Sequence, residues 1–227
     1  MVTDALSDFL FVTEPSGVTN LRMEGVPEGR IHLVGNVMID TLVRLRDRAI
    51  RSQIVERLDL SNAAYALATF HRPSNVDTRG RAVRLVRLIQ AVAERLPLVF
   101  PVHPRTRERL ASFSLWPDLE ATPSVRLLEP QGYLEFLCLM ERAAVVLTDS
   151  GGIQEETTYL GTPCLTLREN TERPITVTHG TNRLVSMDRE AVIAEIDRAM
   201  MGRAPDRPPL PLWDGRAAER IVDLLLC

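Results

Sequence analysis

The sequence predicts an α/β protein whose parallel sheet is covered by helices on both faces. Three observations carry this. Apolar runs of strand length recur along the 227 residues. Helical periods lie between most of them. The runs are apolar without strict alternation, as expected of strands buried on both faces.

The opening "MVTDALSDFLFVTEPSGVTNLRMEG" reads as helix, strand and helix, with the strand at 9–13. A second strand follows at 31–35. A long helix then starts at Val37, where Met38, Leu42, Leu45 and Ala49 recur at three- and four-residue spacing. Two strands make a marginal sheet alone, so these two are expected either to join the later sheet or to be the tail of a lobe whose main body is absent. Further strands are expected at 64–70, 98–102, 125–129, 144–150 and 163–167, with a weaker one at 182–186. Leu85, Val86, Ile89, Val92 and Ala93 mark a helix between the first two of these. Asp188 reads as the N-cap of "REAVIAEIDRAM", with Gly202 closing that helix. The proline-rich stretch 202–215 reads as a loop leading to a terminal helix from Arg216 to Leu226.

Hydrophobic residues make up 45% and charged residues 25% of the chain, which is the composition of a soluble globular protein. A net charge of −3 gives no reason to expect nucleic acid or a membrane surface as partner, and no apolar run is long enough to span a bilayer. The N-terminus lacks the pattern of a secretory signal. Cys138, Cys164 and Cys227 are odd in number and lack CxxC spacing; the first two sit in apolar segments and read as buried thiols. A reducing cytoplasm is the expected location.

The stretch "LTDSGGIQEETTYLG", 147–161, carries the strongest chemical signal. A strand ends at Ser150 and a helix begins near Gly152. Ligands of parallel α/β sheets bind at the carboxyl ends of strands, and the first N–H groups of a helix are unpaired at its positive end. Glycines let a phosphate approach that backbone, and the Ser150 hydroxyl can donate to it. Glu156, one turn in, can accept from both hydroxyls of a ribose, whereas Glu155 points elsewhere and reads as structural. A tight turn capped by Ser150 explains the same residues without a ligand.

Basic groups recur at the same sheet edge. His71 and Arg72 follow one strand, His103 and Arg105 the next, and Arg168 and Arg173 flank a loop after another. A histidine at such an edge can contact a diphosphate or work as an acid or base; a loop histidine with a structural hydrogen bond fits equally. Gln131 can read a base edge and Phe136 can pack on a planar ring, although helix capping and a core aromatic explain both. No histidine pair has metal spacing, and no Ser-His-Asp or Cys-His arrangement stands out.

Together, "FVTEPSGVTNLRMEG", "VGNVMIDTL", "ATFHRPSN", "PVHPRT", "LTDSGGIQEE" and "LGTPCLTLRENTERPITVTHGTN" resemble the non-hydrolysing UDP-N-acetylglucosamine 2-epimerases over nearly the whole chain. The resemblance implies the GT-B architecture, two Rossmann-like lobes with a UDP-sugar between them, and assigns this chain to the C-terminal lobe. It implies a diphosphate grip at Ser150, Gly151 and Gly152, a ribose carboxylate at Glu156, uridine contacts at Gln131 and Phe136, a further contact at Arg173 and a catalytic histidine at His71. No cofactor or metal is implied.

The implied reaction eliminates UDP from C1 with loss of the C2 proton, then adds UDP back with the proton on the other face. It interconverts UDP-GlcNAc and UDP-ManNAc, a step of cell-surface polysaccharide biosynthesis. The family's N-terminal "GTRPE"-like loop and its proton-transfer carboxylates have no counterpart here, and "HRPSN" replaces the commoner "HRREN". Residues 1–36 are therefore expected to be the remnant of an N-terminal lobe and 37–227 the UDP-binding lobe with its terminal helix. The chain is expected to be a fragment, a truncated gene model or half of a split enzyme. A homo-oligomer or association with a separate N-terminal lobe is the expected assembly. A non-catalytic UDP-binding module that needs a partner chain, or a GT-B glycosyltransferase fragment, are the alternatives.

Overall fold

In a computed structural model, described over residues 2–201 and 210–226, the chain divides into two compact units. One is formed by the chain up to Leu45 together with its C-terminal segment; the other begins at Arg46 and holds the main sheet.

The first unit opens with α1 (Val2–Leu6), β1 (Leu10–Val12), α2 (Pro15–Met23), β2 (Ile31–Leu33) and the start of α3 (Val37–Ile50). Pro15 is tolerated at the first turn of α2 because an N–H there has no intrahelical partner. β1 and β2 pair in parallel, Leu10 opposite Ile31 and Val12 opposite Leu33, with α2 as the crossover that parallel pairing requires. They form a sheet of two strands and do not join the later one.

The second unit contains α4 (Ile54–Arg57), β3 (Ala66–Thr69), α5 (Pro73–Val76), α6 (Arg79–Ala93), β4 (Leu98–Pro101), α7 (Pro104–Ser112), α8 (Trp116–Glu120) and β5 (Val125–Leu128). It continues with α9 (Tyr133–Arg142), β6 (Val145–Thr148), α10 (Gly151–Leu160), β7 (Cys164–Thr166), α11 (Pro174–Thr178), β8 (Asn182–Leu184) and α12 (Arg189–Met200). The six strands are all parallel, in the order β5-β4-β3-β6-β7-β8. The chain runs outward from β3 to β5, returns to β6 beside β3, and then runs the other way. That reversal makes the carboxyl ends of β3 and β6 the topological switch point, where crevices form in such sheets.

Residues 66–68 and 145–147 are fully or almost fully buried, which is why these strands show no polar alternation. β5, at the sheet edge, is only half-buried. Leu85, Ile89 and Val92 bury the inner face of α6 at helical spacing. Phe70 meets Phe100 edge-on, with ring centroids 6.0 Å apart. Asp188 caps α12 as expected, accepting from the Ala191 N–H at 2.9 Å; Gly202 and the start of the proline-rich stretch lie outside the described residues. Cys138 and Cys164 are buried free thiols, and burial pushes the Cys164 thiol up to about 11. No helix among the described residues is long and apolar enough to cross a membrane.

The terminal helix α13 (Ala217–Leu226) belongs with the first unit. The Asp40 carboxylate accepts from the N–H groups of Ala217 at 3.0 Å and Ala218 at 2.7 Å, so a side chain on α3 caps α13. Arg220 donates to the Val34 carbonyl at 3.0 Å, and the buried Trp213 indole donates to the Thr13 carbonyl at 3.2 Å. Gly35 has φ +94, and a Cβ there would strike the Leu212 carbonyl oxygen at 2.1 Å. These contacts explain why the units divide within α3 rather than at 36/37, and why the terminal helix groups with the N-terminal segment rather than with the sheet it follows in sequence.

Truncating Phe100 to alanine should destabilise the chain by about 3–5 kcal/mol, because the β4 side of the sheet cannot collapse around the lost ring. Urea denaturation followed by circular dichroism checks this; a cost below about 1 kcal/mol would mean that the Phe70–Phe100 pair is not part of a close-packed core.

Candidate functional site

Asp149, the first residue after β6, is the centre of the switch point. Its side chain is fully buried, yet it is a carboxylate surrounded by donors. It accepts from the His71 N–H at 3.1 and 3.2 Å, the Arg72 N–H at 2.9 Å and the Asn75 amide at 3.0 Å. The His71 ring stands against the same carboxylate, Nδ1 to Oδ1 at 3.1 Å. Burial alone would raise the Asp149 pKa. The His71 ring, the Arg72 backbone N–H and the Asn75 amide outweigh it and hold the acid below the ordinary aspartate value. Arg72 also returns a bond to this corner, Nε to the Asp149 carbonyl at 2.8 Å. With Nδ1 engaged, Nε2 of His71 is the ring nitrogen available to a ligand.

The neighbouring basic loop behaves differently. His103 accepts from the Arg105 N–H at 3.2 Å and so caps α7, with its ring 5.6 Å from that of His71. Arg105 pairs with Asp77 at 2.5 Å, and Arg109 joins the same carboxylate at 3.3 Å. The charge of Arg105, expected from the sequence to serve an anion, is thus taken up by Asp77.

At the corner itself, the Ser150 N–H donates to Thr148 Oγ1 at 3.0 Å, and Ser150 stands at the N-cap of α10 with no capping bond from its side chain. The hydroxyl is therefore not spent on the turn. Gly151 and Gly152 are the first two residues of α10, whose leading N–H groups have no intrahelical acceptor. Further along, Gln154 is buried and accepts from Thr171 at 2.6 Å and Asn182 at 3.0 Å, fastening the loop after β7 to the helix.

Glu155 and Glu156 are both buried. Glu155 stands 3.0 Å from Arg173 Nε, an ion pair without an aligned hydrogen bond. Arg173 is thus tied to Glu155. Glu156 accepts from the Tyr133 hydroxyl at 2.9 Å. Burial raises the Glu156 pKa, Tyr133 opposes the rise and Glu155 adds to it. Tyr133, at the start of α9, was not among the residues expected at the site; its bond to Glu156 crosses 23 positions and leaves no local signature. Gln131 donates to the Glu129 carbonyl at 2.7 Å just before α9, and Phe136 is half-buried on that helix. α9 packs beside α10, so the ring, the amide and the Glu156 carboxylate belong to adjoining elements. Among the described residues no group of three or more His, Cys, Asp or Glu side chains could hold a metal ion.

The family model for UDP-N-acetylglucosamine 2-epimerase matches residues 1–226. The chain belongs to this family. Its relatives include the UDP-N-acetylglucosamine 2-epimerase of Methanocaldococcus jannaschii, 37% identical, and the UDP-2,3-diacetamido-2,3-dideoxy-D-glucuronate 2-epimerase of Pseudomonas aeruginosa, 35% identical. The alignments cover 99% of this chain but 62% and 61% of those proteins, so the chain spans about three fifths of the length of the family members it matches. The crystal structure of the M. jannaschii epimerase in complex with UDP-GlcNAc and UDP superposes with a TM-score of 0.86 at 36% identity, over 99% of this chain and 62% of that one. The sheet described above is accordingly the Rossmann-like C-terminal lobe of a GT-B-type family member.

Asp149→Asn keeps the side-chain volume but removes the charge that four donors face, and should cost about 3 kcal/mol at neutral pH. The folded-state pKa is depressed, so the stabilisation is present above the ordinary aspartate value of 3.8 and is lost as pH falls through the lower folded value. The gap between wild type and Asp149→Asn in urea denaturation should therefore hold at neutral pH and close in acid. A gap independent of pH would exclude the ionised carboxylate as its cause.

Proposed function

We propose that this chain supplies the UDP-binding half of a UDP-GlcNAc 2-epimerase. The observation that carries the reading is the convergence, at one topological switch point, of an unspent Ser150 hydroxyl, the free leading N–H groups of α10 and a histidine held by Asp149. Ser150, Gly151 and Gly152 take the diphosphate. Glu156 takes the ribose hydroxyls, with Tyr133 as the donor that holds its carboxylate in place. Gln131 and Phe136 take the uracil. The M. jannaschii relative, solved with UDP-GlcNAc and UDP, supports this choice of ligand.

In the reaction, the C1–O bond breaks and its electron pair leaves with UDP while the C2 proton is lost, giving a C1=C2 double bond. Re-addition of UDP at C1, with a proton delivered to the opposite face of C2, completes the inversion. His71, oriented by Asp149 through Nδ1–H, donates from Nε2 to the departing diphosphate when both ring nitrogens carry a proton; Arg173 adds positive charge there. The base at C2 comes from outside this chain's UDP site. The active assembly includes a further lobe that carries this base, and residues 1–36 belong to the side that meets it. Exposed Leu6, Met23, Leu33 and Leu225 in the first unit support such an association. The P. aeruginosa relative favours a second reading, in which the sugar is a diacetamido uronate. Both readings share the UDP grip and C2 inversion.

Glu156→Gln should weaken UDP by about 1.5–3 kcal/mol and leave inorganic pyrophosphate, which has no ribose, nearly unchanged. Wild-type affinity for UDP should also rise as pH climbs through the elevated Glu156 pKa, because only the ionised carboxylate accepts from both hydroxyls, and this slope should vanish in the variant. Titration calorimetry checks both; equal losses for the two ligands would remove Glu156 from the ribose role. Incubated alone with UDP-GlcNAc in deuterated water, the chain should incorporate no deuterium at C2 by NMR. Incorporation would show that the base lies within it.

A further inference from the structure

The loop after β7 carries an acid that the UDP reading leaves unused. The Glu172 carboxylate stands 2.7 Å from Arg168 Nη1 and 3.2 Å from Arg72 Nη2. Its Oε1 also lies 3.1 Å from where a Cβ on Gly151 would be. One carboxylate therefore occupies the space beside the first residue of α10 and engages two arginines from two different loops. We propose that Glu172 is a built-in stand-in for the diphosphate: it holds Arg72 and Arg168 in the ligand-free chain and is displaced when the diphosphate takes both guanidinium groups.

Three features support displacement rather than a fixed structural pair. Glu172 is 46% exposed on its side chain, so leaving for solvent costs it little desolvation or packing. Arg168, by contrast, is only 12% exposed, so its guanidinium stays in place when its partner changes. A largely buried guanidinium gains when a phosphate, with more acceptor oxygens and more charge, replaces a carboxylate. Arg72 is already fixed at its other edge by the Asp149 carbonyl, so its outer nitrogen can change partners without moving the arm. Burial raises the Glu172 pKa, but its own backbone N–H, Arg168 and Arg72 together hold it below the ordinary glutamate value, so it is an anion at neutral pH.

The exchange has a consequence for selectivity. An incoming anion must outcompete a tethered carboxylate, which a diphosphate bridging both arginines can do and a single carboxylate cannot. Arg72 and Arg168 thereby join the diphosphate grip, and Glu172 sets the threshold for entering it.

The inference rests on the proposed diphosphate site, and one set of titrations separates the two. UDP and inorganic pyrophosphate are titrated calorimetrically into the wild-type chain, Glu172→Gln, Glu172→Ala and Arg168→Gln, each first shown by circular dichroism to melt cooperatively. Removing the stand-in should tighten both ligands by about three- to tenfold in both Glu172 variants, since the fraction of unoccupied sites rises. Arg168→Gln should weaken both by about tenfold. If wild type binds UDP but neither Glu172 variant binds more tightly, the stand-in role is wrong and the UDP site survives. If neither wild type nor the variants bind UDP or pyrophosphate, the diphosphate site itself is wrong and the inference falls with it.

Discussion

The site depends on one buried carboxylate. Asp149 directly follows the central strand β6, and its partners come from the loop that follows the neighbouring central strand β3. An ionised acid removed from water is costly unless every lone pair is answered, and here two backbone N–H groups, an amide and an imidazole answer them. The same four bonds fix the path of residues 71–75, choose the imidazole nitrogen that faces Asp149 and set the backbone direction into Ser150. Asn75 extends the network to the Leu167 carbonyl after β7, so the loops of three adjacent strands are tied to one side chain. A uniform apolar core cannot hold three loops in register at a sheet edge; a satisfied polar network can.

Around this fixed centre, the charged groups facing the proposed ligand already have partners. Glu172 holds Arg72 and Arg168, Glu155 stands against Arg173, and Tyr133 holds Glu156. The burial of the acids sorts these pairs. Glu155 and Glu156 lie inside α10 and remain where they are, so their partners are oriented by them. Glu172 is half exposed and can leave. Pre-paired charges keep the empty site stable and reduce reorganisation on binding, which is the benefit of preorganisation.

Much of the fold was legible because burial on both faces leaves a simple trace. Runs such as "LVFPV" and the "AVVL" of 144–147 are apolar throughout, and they became β4 and most of β6. Strand order was not legible, since adjacency of β3 to β6 joins residues about eighty positions apart with no local mark. The corner at Ser150–Gly152 could be read from its strand, glycines and helix start. Asp149 could not, because it fell within the expected strand 144–150 and its partners lie 74 to 78 positions earlier. The fate of Arg105 was hidden for a similar reason: Asp77, which takes its charge, is 28 positions upstream. The terminal helix was visible from its apolar face, but its assignment to the first unit required Asp40, 177 positions away, as its cap.

A proton–nitrogen chemical-shift map of the chain during a UDP titration tests the central claim most directly. If the switch point built on Asp149 is a nucleoside-diphosphate site, the amides of Gly151, Gly152 and Ile153 should shift saturably, together with those of His71 and Arg72 that bond to Asp149. Shifts confined to other surfaces, with these five amides unmoved at saturating UDP, would contradict it.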